Sequence, residues 1–146
     1  MDKETLVENM KVLLASSYSV ALKAQNYHWN VTGPNFGEYH TFFGDYYGSV
    51  YDFNDLYAEH IRQLGSFTPG SLERFTELTK ITDETAVPGA KFMMVRLESD
   101  NKVILSILKG THAAAEEFGD LGLVATLEDA IRFHSKMSWM LESYLA

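Results

Sequence analysis

His28 and His40 sit at the two ends of a short break, NYHWNVTGPNFGEYH, residues 26–40. Imidazole is the commonest side-chain ligand for metals, and a Thr-Gly-Pro turn between two of them can fold one back beside the other. Fifteen residues beyond His40 comes Asp55, followed at a spacing of four by Glu59. That spacing puts both carboxylates on one face of a helix. Neutral imidazoles together with ionised carboxylates and open positions suit Fe(II), and Zn or Mn is also compatible. The plainer reading is a helix-end histidine serving as a cap and an acidic pair on a solvated face.

Geometry restricts the metal reading. His40 and Asp55 lie on one predicted helix, so they are about 22 Å apart along its axis at 1.5 Å per residue. Ligands must come within about 2.0–2.5 Å of the ion. A single chain therefore cannot close the site. Two such helices packed antiparallel about a twofold axis place His40 of one chain opposite Asp55 and Glu59 of the other, giving two equal sites per pair. His28 joins from the end of the first helix.

The elements that carry these residues follow from apolar spacing. A first helix is predicted from about Asp2 to Trp29, on the stripe Leu6, Met10, Leu13, Ser17, Ala21, Ala24, His28. Gly33-Pro34 ends it and starts the next. A second runs from about Asn35 to Leu64 and stops at Gly65. The connection SFTPGSLERFTELTKITDETAVPG is too long to be featureless, and a short helix is predicted over Ser71 to Leu78. Two more are predicted over about Ala90–Phe118 and Thr126–Leu145, with Thr126 as the N-cap of the last. No strand-like alternation is present. The expected fold is an all-α, ferritin-like four-helix bundle forming one domain over residues 1–146, its long crossover carrying the short helix between helices two and three.

Composition excludes several alternatives. There are no cysteines among the 146 residues, which removes disulfides, thiolate metal sites and thiol catalysis. The formal net charge is −8, with twelve basic residues scattered among twenty acids. A phosphate backbone is bound by clustered Lys and Arg, so nucleic acid is not an expected partner, while an acidic surface attracts cations. No apolar run reaches the ~20 residues of a membrane span, and no signal-peptide pattern appears at the start. A cytoplasmic location is the default expectation. None of the twelve glutamates is followed by His three positions on, so the Glu-x-x-His motif of ferritin-like di-iron bundles is absent.

The stretch His28-Trp29-Asn30-Val31-x-Gly33-x-x-Phe36-x-x-x-His40, then Asp55-x-x-Ala58-Glu59 and Leu64-Gly65, resembles the Dps family, DNA-protecting proteins of starved cells also called mini-ferritins. His134-x-Lys136-x-x-Trp139-Met140-Leu141 and Gly119-Asp120 are similar to that family's last helix and the loop before it. The resemblance implies a dodecameric cage in which iron is oxidised at intersubunit sites, with hydrogen peroxide as the preferred oxidant and ferric mineral stored inside. It also implies that His28 and His40 come from one subunit and Asp55 and Glu59 from its twofold mate. Two departures stand out. Gly44 replaces the acid often found four residues after the second histidine, which bears on a second iron position. His60 follows the site glutamate where Arg is common, and is read as surface or interface. Neither terminus carries the Lys-rich extension with which some members bind DNA. The rivals to ferroxidase activity are a DNA-condensing protein and a cage whose site is inactive or holds zinc.

Other residues are weighed on the same terms. The aromatics crowding the second helix are expected to fill core and interface, with Trp29 alone retained as a candidate radical trap. His134 lies on an apolar stripe and is read as a hydrogen-bonded core residue. His112 has no partner signal. Among the acids near the third turn, Asp120 is the one candidate for an iron-entry pore.

Overall fold

The computed structural model describes residues 2–146, and among them there are five helices and no strand. Helix α1 spans Lys3–Asn30 and α2 spans Phe36–Gln63; α3 is Leu72–Leu78, α4 Ala90–Phe118 and α5 Leu121–Leu145. Asp2 caps α1 by accepting the Thr5 N–H at 2.7 Å, and Ser71 caps α3 through the Arg74 N–H at 3.2 Å. Gly33 at φ 117° turns the chain between α1 and α2, and Gly65 at φ 90° ends α2. Both conformations are open chiefly to glycine.

The last helix starts earlier than predicted. Gly119, at φ 89°, closes α4 by bonding back to Ala115 and Glu116, and Asp120 at once caps α5 through the Leu123 N–H at 3.1 Å. The turn therefore takes only two residues. Thr126 lies inside the helix, with its hydroxyl on the Gly122 carbonyl at 3.2 Å.

Helix α1 packs along α2 and α4, α4 along α5, and the short α3 rests on α1. The predicted stripes are buried: Leu6, Met10, Leu13, Ala21 and Ala24 of α1 have no solvent exposure. Full burial of one such leucine is worth about 1.5–3 kcal/mol. The crossover is strapped to α1 by polar contacts, Ser19 Oγ to Thr79 Oγ1 at 2.8 Å and the Lys80 N–H to Ser16 Oγ at 3.0 Å. Glu84 gathers the Tyr27 hydroxyl at 3.0 Å and the Arg96 guanidinium.

A polar knot occupies the bundle interior. Asn101 Oδ1 accepts from the Tyr46 hydroxyl at 3.0 Å and from His134 Nδ1 at 2.7 Å, while its Nδ2 donates to the His134 carbonyl at 2.9 Å. His134 is thus the bonded core residue expected from its stripe position. Burial drives its pKa down to about 3, so the ring stays neutral. Its Nε2 has no partner.

Candidate metal centre

His28 belongs to the last turn of α1 and His40 to the second turn of α2. The Gly33 turn reverses the chain between them and lays the two rings face to face, 3.8 Å between centroids and 16° from parallel. Each ring is fixed through the other residue's backbone. His28 Nδ1 meets the His40 carbonyl at 2.6 Å, and His40 Nδ1 meets the His28 carbonyl at 2.7 Å. A carbonyl only accepts, so both Nδ1 atoms carry the hydrogen and each neutral ring's lone pair is on Nε2.

That tautomer leaves Nε2 as the nitrogen that could ligate a metal. A ligating histidine ordinarily donates its other N–H to a carbonyl or carboxylate, which fixes ring orientation and raises basicity. Here both rings have this support. Neither Nε2 has a hydrogen-bond partner among the described residues. Phe36 stacks on His40 at 5.1 Å and Tyr47 stands edge-on to His28 at 5.4 Å, confining the pair.

The carboxylates sit elsewhere. Asp55 and Glu59 are exposed on α2, and neither has a hydrogen bond or ion pair among the described residues. Asp55 borders a groove lined by Tyr18, Tyr51, Asn54, Leu72 and Phe75. Because α2 is one unbroken helix of 28 residues, the rise per residue keeps Asp55 about 22 Å from His40. No three His, Asp or Glu side chains among the described residues converge to hold a metal within one protomer. The protomer therefore brings His28 and His40 together, and keeps Asp55 and Glu59 apart from them.

Two histidines have acidic partners within the chain. His60 is mostly covered by its own protomer. Its side chain is 12% exposed, and Nε2 bonds Asp120 Oδ2 at 2.6 Å within the same chain. Asp120 thus has both oxygens engaged, one on the α5 cap and one on His60. Burial pushes its carboxyl up, but the His60 and Leu123 bonds outweigh it and hold the pKa below the usual value. His112 also has partners, Glu128 across the turn at 3.1 Å and Glu116 at 3.4 Å; the i, i+4 spacing to Glu116 was a signal available in the sequence. Trp29, beside His28, is 63% exposed.

An antiparallel helical bundle with a long crossover, and metal-competent imidazoles at one mouth, defines a ferritin-like protein. A ferritin-like domain model matches residues 7–146. The DNA protection during starvation protein of Helicobacter pylori is 31% identical over 140 residues, covering 95% of this chain and 97% of that one. Among solved structures, the Dps protein of Vibrio cholerae, described as a member of a superfamily of ferritin-like diiron-carboxylate proteins, superimposes with a TM-score of 0.95 at 27% identity. That match covers 99% of this chain and 91% of the other. Antigen TpF1 of Treponema pallidum also gives 0.95, at 28% identity, over 98% and 92% of the two chains. The chain belongs to the Dps family. No helix among the described residues is long and apolar enough to cross a membrane.

Proposed function

We propose that this protein is a ferroxidase and iron store. It oxidises Fe(II) at sites shared by twofold-related subunits, with hydrogen peroxide as oxidant, and keeps the ferric product inside a dodecameric cage. The observation that carries this reading is the pair of locked tautomers at His28 and His40, whose Nε2 atoms have no hydrogen-bond partner among the described residues and lie far from the exposed carboxylates Asp55 and Glu59 of α2. Peroxide accepts two electrons and two protons to give two waters, and two Fe(II) supply one electron each. His28 and His40 hold Fe(II) as neutral donors. Asp55 and Glu59 of the twofold mate add negative charge that favours the ferric product. Apolar surface supports the pairing, since Trp29 and Phe36 are 63% and 44% exposed at the histidine end and Leu56 and Leu72 are 48% and 70% exposed at the carboxylate end.

Subunit mixing tests the shared site directly. His28→Ala/His40→Ala chains and Asp55→Ala/Glu59→Ala chains are each expected to be inactive alone. Unfolded and reassembled together, they should regain roughly a quarter of wild-type Fe(II) oxidation, because half the dimers are mixed and each mixed dimer has one intact site of two. No recovery in properly assembled mixtures would end the intersubunit assignment. Trp29 is included as a radical trap, and Trp29→Phe is expected to raise protein oxidation during peroxide turnover.

Direct DNA binding is the rival reading, resting on relatives such as the nutrient stress-induced DNA-binding protein of Nostoc, 28% identical over 142 residues. A net charge of −8 per chain opposes it. Gel retardation at low salt without divalent ions would favour the rival; its absence favours the iron reading.

A further inference from the structure

Gly44 lies in the middle of α2 with an ordinary negative φ, so the backbone does not call for glycine there. Glycine inside a helix costs about 1 kcal/mol relative to alanine. Something other than chain geometry must favour it. A Cβ built on Gly44 would fall 2.9 Å from His28 Cε1 and 3.0 Å from His28 Nδ1. Its neighbours on the same helix behave differently, since a Cβ at Gly37 or Gly48 meets nothing within 4 Å. The missing side chain is space that the His28 ring fills.

The position is set by helix geometry. Residue 44 is one turn beyond His40, and the His40 carbonyl that accepts the His28 Nδ1–H points along the helix toward residue 44. To reach that oxygen, the imidazole must lie against the helix backbone at residue 44. His40 closes one face of the ring at 3.8 Å and Tyr47 stands edge-on at 5.4 Å. A Cβ at 44 would collide with the ring at Cε1 and crowd Nδ1, the atom that fixes the tautomer.

We infer that Gly44 is a positioning residue for the metal centre: it seats the His28 ring on bare helix backbone, and any side chain there, a carboxylate included, displaces that ring and releases its lock on the His40 carbonyl. The seat rests on geometry alone; its consequence for metal uptake rests on the function proposed above. An acid at this position cannot simply be added to the two histidines in their present pose. The candidate site has a stacked imidazole pair with no carboxylate side chain at position 44.

Two readouts on the assembled protein test this. In metal-free protein, Gly44→Ala should lower the melting temperature in the wild-type background and raise it, through better helix propensity, when His28 is already alanine. Gly48→Ala, a site with open space, should be stabilising in both backgrounds. Gly44→Ala acting alike with and without His28 would overturn the inference. In the second readout, Co(II) titrated calorimetrically should bind Gly44→Ala at least about 10-fold more weakly than wild type, the loss typical of disturbing a ligand's support. Gly44→Asp should likewise bind no better than wild type; tighter binding by either variant would overturn the inference. If wild type takes up no cobalt but the His28-dependent stability difference appears, the seat stands and the ferroxidase reading alone falls.

Discussion

Two histidine environments in this molecule use the same first bond for opposite ends. In the bundle interior, His134 donates Nδ1–H to Asn101 and is wholly buried, its Nε2 enclosed by protein. At the α1–α2 turn, part-exposed His28 and His40 donate Nδ1–H to carbonyls and leave Nε2 without a hydrogen-bond partner among the described residues. Hydrogen bonding alone does not separate a structural imidazole from a ligand. What differs is whether a cation can reach the second nitrogen, and whether counter-charges can follow it. His134 has no acidic side chain bonded to it, whereas the proposed site would bring Asp55 and Glu59 of another chain to His28 and His40.

The contrast is broken most sharply by separating activity from stability. Glu59→Ala should reduce peroxide-dependent Fe(II) oxidation, followed by stopped-flow absorbance, by at least about 100-fold, more than loss of an outer-shell partner costs. Its thermal stability should stay near wild type, because the carboxylate has no partner in the protomer. Unaltered oxidation would remove Glu59 from the site.

Asn101→Leu should do the reverse. It leaves His134 Nδ1–H and the Tyr46 hydroxyl without their acceptor, at an expected cost of about 2–3 kcal/mol in chemical denaturation, while Co(II) affinity of the folded protein is retained. A neutral effect on stability would mean that the knot contributes nothing net.

Acid sharpens the comparison further. The folded-state pKa of His134 is lowered to about 3 from 6.5, so the unfolded chain binds the proton first as pH falls. Its contribution is fully present above about 6.5 and declines below it, at up to roughly 1.4 kcal/mol per pH unit. His134→Gln should flatten denaturation midpoints between pH 6.5 and 5; an unchanged slope would assign that acid sensitivity to other groups. The smallest effect is expected for His60→Ala. Loss of its bond to Asp120 should destabilise by about 0.5–1.5 kcal/mol and leave the α5 cap in place, a shift that differential scanning calorimetry resolves.

Much of this was legible in the residues. Stripes and caps located α1 to α4, since Asp2, Ser71, Gly33 and Gly65 act through their immediate neighbours. The start of α5 was not legible, because Gly119 and Asp120 end one helix and begin the next without a loop, and Thr126 mimics a cap. His28, His40, Asp55 and Glu59 were singled out as candidates from type and spacing, and the structure pairs the two histidines while fifteen residues of rigid helix keep the carboxylates away from them. The reciprocal locks were hidden because their acceptors are backbone carbonyls, which every residue carries. The His60–Asp120 bond joins positions 60 apart, and nothing local marks such a pair. The knot at Asn101 was not anticipated; a polar residue within a helix's buried face was the available hint.

The carbonyl of His28 is one of the terminal acceptors that an α-helix cannot satisfy from within, and His40 supplies its missing donor. One imidazole thus finishes the first helix with one nitrogen, and its other is the one that the proposed site would use. A replacement at position 40 that cannot donate backward would fray the end of α1 and loosen the neighbouring ring with it.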